Sequence, residues 1–191
     1  TINQTDLSVS ENAKHALLLA QAQDKAGHQL INDSLILIAI NHYDHLSKDN
    51  NKAKAYFYLG RFYQNNNDYA KAINSYLIAE KATSDHDTLL TLIYDNLGTC
   101  YKNQDFYDKA LEDIKYALKI DSKYAEAYKV RGDIKTDQEE SITALADYDK
   151  AIKFDGGNAS YFCARGVHKF KYGYSMHDST YDLNKAIELD P

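Results

Sequence analysis

The stretch YLGRFYQNNNDYAKAINSYLIA, residues 58–79, decides the reading of this chain. A small-residue pair, Leu59-Gly60, is followed by Tyr63, then by a run of asparagines, then by Ala72, Tyr76 and Ala79. Nearly the same arrangement returns in NLGTCYKNQDFYDKALEDIKYAL, residues 96–118. Side chains three and four residues apart share one face of a helix. Each stretch therefore reads as two amphipathic helices joined by a polar turn.

The repetition extends along the chain. Gly60, Gly98, Gly132 and Gly166 are separated by 38, 34 and 34 residues. Four residues before each glycine stands an aromatic, Tyr56, Tyr94, Tyr128 or Phe162, and three after it come Tyr63, Tyr101, Lys135 and Lys169. Twelve after it lie Ala72, Ala110 and Ala144, and nineteen after it Ala79, Ala117 and Ala151, with Tyr76, Ile114 or Tyr148 between. Glycine inside a helix costs about 1 kcal/mol against alanine. Its return at one position implies an approach too close for a larger side chain. The pattern predicts antiparallel helix pairs, small residues meeting at the crossing and rings filling the space beside it.

These residues resemble the tetratricopeptide repeat, whose signature over 34 residues is an aromatic, Leu-Gly, Tyr, Ala, aromatic and Ala. The resemblance is carried by AYFYLGRFYQNNNDYAKAINSYLIA and IYDNLGTCYKNQDFYDKALEDIKYAL, and by the second-helix endings KALEDIKYALKIDS and KAIELDP. It implies an all-α fold, a right-handed alpha-alpha superhelix of about five helix-turn-helix repeats stacked into a solenoid. The whole chain, 1–191, is expected to form one repeat domain: a degenerate repeat at 13–46, repeats at 53–90, 91–124 and 125–158, and a variant partial repeat at 159–191. In the degenerate repeat Ala20 and Ala39 take the small positions. Arg131 departs from the usual leucine, the last second helix is slipped one residue against its glycine, and extra residues fall around ATSDHDT. The Asn and Asp clusters at 65–68, 103–105 and 84–87 are expected to cap helices. The chain stops at ELDP without a polar closing helix, so either further repeats follow or the last face meets another surface.

Composition is consistent with this reading. One proline in 191 residues favours long helices, and the net charge of −6 is spread as mixed acidic and basic residues without a polybasic arm. The longest apolar run, LILIAI at 35–40, is far short of the roughly 20 residues that span a bilayer. The compartment stays open between cytoplasm and bacterial envelope. Cys100 and Cys163 form no spacing motif and lie two repeats apart, so both are expected as buried or half-buried free thiols.

Candidate chemistry is sparse. DGGN at 155–158 falls in an inter-repeat turn rather than between strand and helix, which argues against a phosphate loop. His42 and His45 share a helical face near Asp44, yet no further ligand pair is spaced to complete a metal site. RGVHKFKYGY, 165–174, interleaves basic and aromatic residues as some RNA-contacting helices do, and the core and solvent faces of a repeat helix produce the same alternation. No Ser, Cys or Lys stands beside a base. The expectation is a protein without catalytic residues, cofactor or metal.

The resemblance places the concave groove at the first-helix positions one after the aromatic and one after the glycine. It assigns Phe57, Arg61, Asp95, Thr99, Lys129, Asp133, Cys163 and Val167 to the groove, with Gln64, Asn65, Lys102 and Asn103 further along the same helices. In relatives that clamp chaperone C-terminal carboxylates five groove slots are Lys or Arg and Asn. Here those slots hold Phe57, Arg61, Asn96, Glu126 and Val130, and Asn96 alone conforms. The implied function is a scaffold binding a protein or peptide segment in the groove. The alternatives are the sensor or assembly region of a larger bacterial regulator or envelope-associated protein, and a self-associating scaffold, a homo-oligomer; nucleic-acid binding through 165–174 ranks below these.

Overall fold

The computed structural model describes residues 8–26, 33–83 and 88–191, and among them every regular element is helical. The helices are α1 (Val9–Lys25), α2 (Ser34–Tyr43), α3 (Asn50–Asn65), α4 (Tyr69–Ala82), α5 (Thr88–Lys102), α6 (Tyr107–Ile120), α7 (Ala125–Asp137), α8 (Ser141–Phe154), α9 (Ala159–Lys171) and α10 (Met176–Leu189). The all-α repeat fold implied by the glycine period is the one observed.

The chain forms two compact units, Thr1–Gln104 and Asp105–Pro191. In the first, α1 packs on α2 and α3 on α4, while α2 meets α3 and α4 meets α5. In the second, α7 packs on α8 and α9 on α10, while α6 meets α7 and α8 meets α9.

The recurrent small residues lie at the crossings. Ala72, Ala79, Ala110, Ala117, Ala144 and Ala151 are all 0% exposed, as are Ala20 and Ala39 in the first pair. A Cβ on Gly60 would stand 2.6 Å from Cδ1 of Tyr76, and one on Gly132 would stand 2.8 Å from Cε1 of Tyr148. The glycine is thus the slot that admits the ring of the partner helix. In α10 this register shifts. Helices α4, α6 and α8 begin nine residues after their glycines and α10 begins ten after Gly166, so Leu183 rather than residue 182 takes the ring's place, 3.0 Å from a Cβ on Gly166.

The recurrent aromatic has a second use. Its hydroxyl reaches back to the preceding helix end: Tyr56 donates to Asp44 (2.8 Å), Tyr94 to Glu80 (2.8 Å) and Tyr128 to the Ser122 carbonyl (3.0 Å). Burial, then the Asp44 charge, pushes the Tyr56 phenol up to about 12, so it stays a donor at neutral pH.

Caps follow the sequence only in part. Ser8 and Glu11 form a capping box on α1, Asp49 caps α3, Asp68 caps α4 and Asn158 caps α9. The cluster at 103–105 does not cap α6, contrary to expectation. Phe106 holds the cap position, and Asp105, at φ 61°, accepts from Tyr107 instead. Residues 84–87, the third expected cap, lie outside the described residues, as does the core of the ATSDHDT insertion.

Candidate functional site

In the first unit the expected groove residues divide by depth. Phe57 is 4% exposed, and its ring lies against Tyr58 (5.3 Å) and Tyr76 (5.9 Å). It stands one turn before Gly60, so it covers the ring that the glycine admits. Asp95 is likewise buried. The expectation of an exposed aromatic at 57 is therefore corrected: both side chains lie beneath the surface. Arg61 is half-buried and binds Asp24 of α1 through Nε (3.1 Å) and Nη2 (2.9 Å). Gln64 accepts from the Tyr76 hydroxyl at 2.6 Å. Thr99 and Lys102 are half-exposed, and Asn65 and Asn103 are exposed.

In the second unit Lys129 and Asp133 pair across one turn of α7 at 2.9 Å. The Tyr148 hydroxyl donates to Asp133 at 3.0 Å, much as Tyr76 does to Gln64. A buried tyrosine thus sends its hydroxyl to the first helix in both repeats. On α9, Cys163 is exposed, not buried or half-buried as expected, because it takes the position that Lys129 holds on α7. Val167 and Phe170 follow it at 53% and 63% exposure, giving an apolar stripe spaced by four and three residues. Cys100 is fully buried, and burial pushes its thiol up to about 12.

A pair of ion triads was missed by sequence reasoning. Arg131 holds Asp147 through Nε (2.8 Å) and Nη2 (2.6 Å), and Lys135 adds a third bond at 2.7 Å. One repeat later Arg165 holds Asp182 at 2.9 and 2.6 Å and Lys169 adds one at 2.8 Å. Each guanidinium also stacks over the recurrent aromatic, Arg131 on Tyr128 and Arg165 on Phe162. Burial alone would raise both carboxyls, but the bonds from Arg and Lys outweigh it and hold them below the ordinary range. The signal was present: Arg-Gly-x-x-Lys occurs twice, followed in each case by an aspartate one position before the ring-site residue.

These triads also dispose of the basic run 165–174. Arg165 and Lys169 are committed to Asp182, His168 is 1% exposed, and Tyr172 donates to the Thr136 carbonyl at 2.9 Å. Its alternation belongs to packing rather than to a basic stripe. The rings of His42 and His45 lie 6.4 Å apart, and Asp44 between them is taken by Tyr56 and Lys52. Among the described residues no group of three or more His, Cys, Asp or Glu is placed to hold a metal ion, and no helix is long and apolar enough to cross a membrane.

Comparison with known proteins agrees with this geometry. A tetratricopeptide-repeat family model matches residues 53–86. The small glutamine-rich tetratricopeptide repeat-containing protein 2 of Saccharomyces cerevisiae is 32% identical over 95 residues, 50% of this chain. The chain spans 26% of that relative's length. Among solved structures, TTC0263, a thermophilic TPR protein in Thermus thermophilus, superposes with a TM-score of 0.76 at 16% identity, over 94% of this chain and 92% of that one. YrrB, described as a TPR protein with an unusual peptide-binding site, superposes with a TM-score of 0.59 at 19% identity, over 95% and 88%. Residues 53–86 thus match the tetratricopeptide repeat, and the fold of the chain is the one seen in solved tetratricopeptide-repeat proteins.

Proposed function

We propose that this chain is a non-catalytic scaffold that holds a protein or peptide segment against the exposed faces of its first helices. In the first unit the contacting side chains are Arg61, Gln64, Asn65, Thr99, Lys102 and Asn103, with Phe57 and Asp95 supporting them from below. In the second they are Lys129 and Asp133, extended by Val167 and Phe170 on α9.

The observation that carries the reading is the α9 stripe. Relative to their glycines, Cys163, Val167 and Phe170 occupy the positions that Lys129, Asp133 and Thr136 occupy on α7, yet here all three are apolar or sulfur-bearing and two stand more than half exposed. Apolar surface left in water costs about 25 cal/mol per Å² relative to burial. A partner that covers it recovers that energy. The helices beneath are fixed by the Tyr148 and Arg165 contacts, so the partner bears most of the ordering cost. The peptide-binding site ascribed to YrrB, on a similar fold, supports the same use.

Selection of a displayed random-peptide library on the full chain tests this, with affinities of the selected peptides read by fluorescence anisotropy. Val167→Asp with Phe170→Asp should weaken them at least about tenfold while leaving helicity unchanged. A selection that yields no peptide, or peptides indifferent to the double change, overturns the reading.

A further inference from the structure

Where one repeat meets the next, two stripes of side chains come together. On the first helix of a repeat the stripe stands five before and two after the glycine. Ile93 and Cys100, Ala127 and Ile134, and Tyr161 and His168 fill it, and all of them are buried. On the preceding second helix the stripe runs from the first residue to the one eleven further on, as from Ser141 to Ile152 in α8. His168 of α9 shows how the two meet. Its Nε2 lies 3.0 Å from the Ser141 carbonyl oxygen, and its ring lies 5.5 Å from that of Tyr148. At the far end of the stripe Ile152 packs against the cluster that holds Tyr161, and one junction earlier Glu80 of α4 accepts from Tyr94 of α5.

One copy of each stripe lies in water. On α1, where Ala20 takes the glycine's place, the two positions hold His15 and Ala22, both exposed, and beside them Leu18 and Leu19 are 55% and 39% exposed. On α10 the stripe reads Met176, Thr180, Leu183 and Ile187, with Met176 65% and Ile187 64% exposed. The first-helix half of a junction is thus open on α1 and the second-helix half on α10. Their sizes match as well. Where α9 sets bulky His168 over small Ser141, α1 offers small Ala22 and α10 offers bulky Met176. Cys100 of α5 and Tyr69 of α4 hold the same two positions in that same order, small on the first helix and large on the second. Neither half carries a carboxylate, lysine or arginine, so joining them buries no such charge.

We propose that a second copy of this chain docks its α1 against α10, repeating between molecules the junction that α8 and α9 make within one. The contact is heterologous, because the face one copy gives differs from the face the next receives. Covering Leu18, Leu19, Met176 and Ile187 takes apolar surface out of water, which drives the association. Pairing α10 with its own copy would leave the α1 face in water, and pairing α1 with its own copy would leave the α10 face there. The joint of α1 on α10 covers both with one kind of contact. It does not depend on what the first-helix faces bind.

Sedimentation equilibrium of the full chain between about 1 μM and 1 mM tests it, and the mean mass should rise with concentration. Leu18→Glu with Leu19→Glu blocks the α1 half, and Met176→Glu with Ile187→Glu blocks the α10 half. All four side chains are exposed, so each double variant should keep its helicity and, alone, stay monomeric. Mixed in equal amounts, the two variants should form a dimer and nothing larger, because each retains one intact half and the halves are complementary. Should the α1 variant lose helicity, Ala22→Arg blocks the same half. A parent chain that stays monomeric, a blocked variant that still associates alone, or a mixture that does not pair overturns the proposal.

Discussion

Glu139 holds a φ of 64°, and among the described residues it is one of four in the left-handed region, with Asn67 at 60°, Asp105 at 61° and Gly173 at 70°. Each lies seven residues after its repeat glycine, in the turn between the two helices of a pair. The turn needs one residue of this hand to redirect the chain, and the four repeats supply it at different cost. Glycine adopts it without penalty, Asn and Asp tolerate it, and other L residues lose about 1–2 kcal/mol. Glu139 has no short polar arm to compensate. Glu139→Gly is therefore expected to raise stability by about 0.5–1 kcal/mol, after allowing for the greater freedom that glycine gives the unfolded chain. Urea unfolding of the two proteins measures it, and a loss of stability would show that the Glu139 side chain makes a contact worth more than its strain.

At the scale of the helix pair, the two ion triads replace what other repeats of the same chain achieve without charge. Where α7 and α8 place Arg131, Lys135 and Asp147, α3 and α4 place Leu59, Tyr63 and Ser75. Removing only the carboxylate, as Asp147→Ser, leaves two cations beside a site that was 3% exposed. The expected loss is about 3 kcal/mol, because breaking a buried pair costs more than the pair was worth. Adding Arg131→Leu and Lys135→Tyr installs the sibling set and should recover stability to within about 1 kcal/mol of the parent. If the triple variant is as unstable as the single one, the triad contributes net energy that apolar packing cannot replace. The same comparison explains what the sequence disclosed. Glycine and alanine report backbone contact directly, so their spacing revealed the helix pairs and the register slip of α10. A charge reveals its partner only when both ends are placed, and Asp147 and Asp182 lie 16 and 17 residues from their arginines. Phe57 misled for a related reason: its position predicts a surface, but the space opened by Gly60 draws the neighbouring rings together and closes over it. Arg61 and Lys129 were legible as groove residues by position, whereas the tyrosine hydroxyls behind that face became evident only once the second helices were in place.

For the molecule as a whole, the buried histidine and the two triad carboxyls lie in the second unit, and their shifts shape stability against pH on the acid side. His168 has a folded value below 6.5, so the neutral buried ring contributes fully above that pH. As pH falls below it the unfolded chain takes up a proton that the folded one refuses, and stability declines by at most about 1.4 kcal/mol per pH unit. Asp147 and Asp182 also have lowered folded values, but on the carboxylate scale. Their contribution is complete above about pH 4 and is lost as pH drops through the folded values. The profile should therefore be level above neutrality, fall gently once the pH drops below about 6.5, and fall more steeply below about pH 4. Amide hydrogen exchange read separately for Thr1–Gln104 and Asp105–Pro191 locates the shallow step, which should appear in α7, α8 and α9 and vanish in His168→Asn. A step of equal size in the first unit, or one untouched by that substitution, would assign the early acid response to groups other than this histidine.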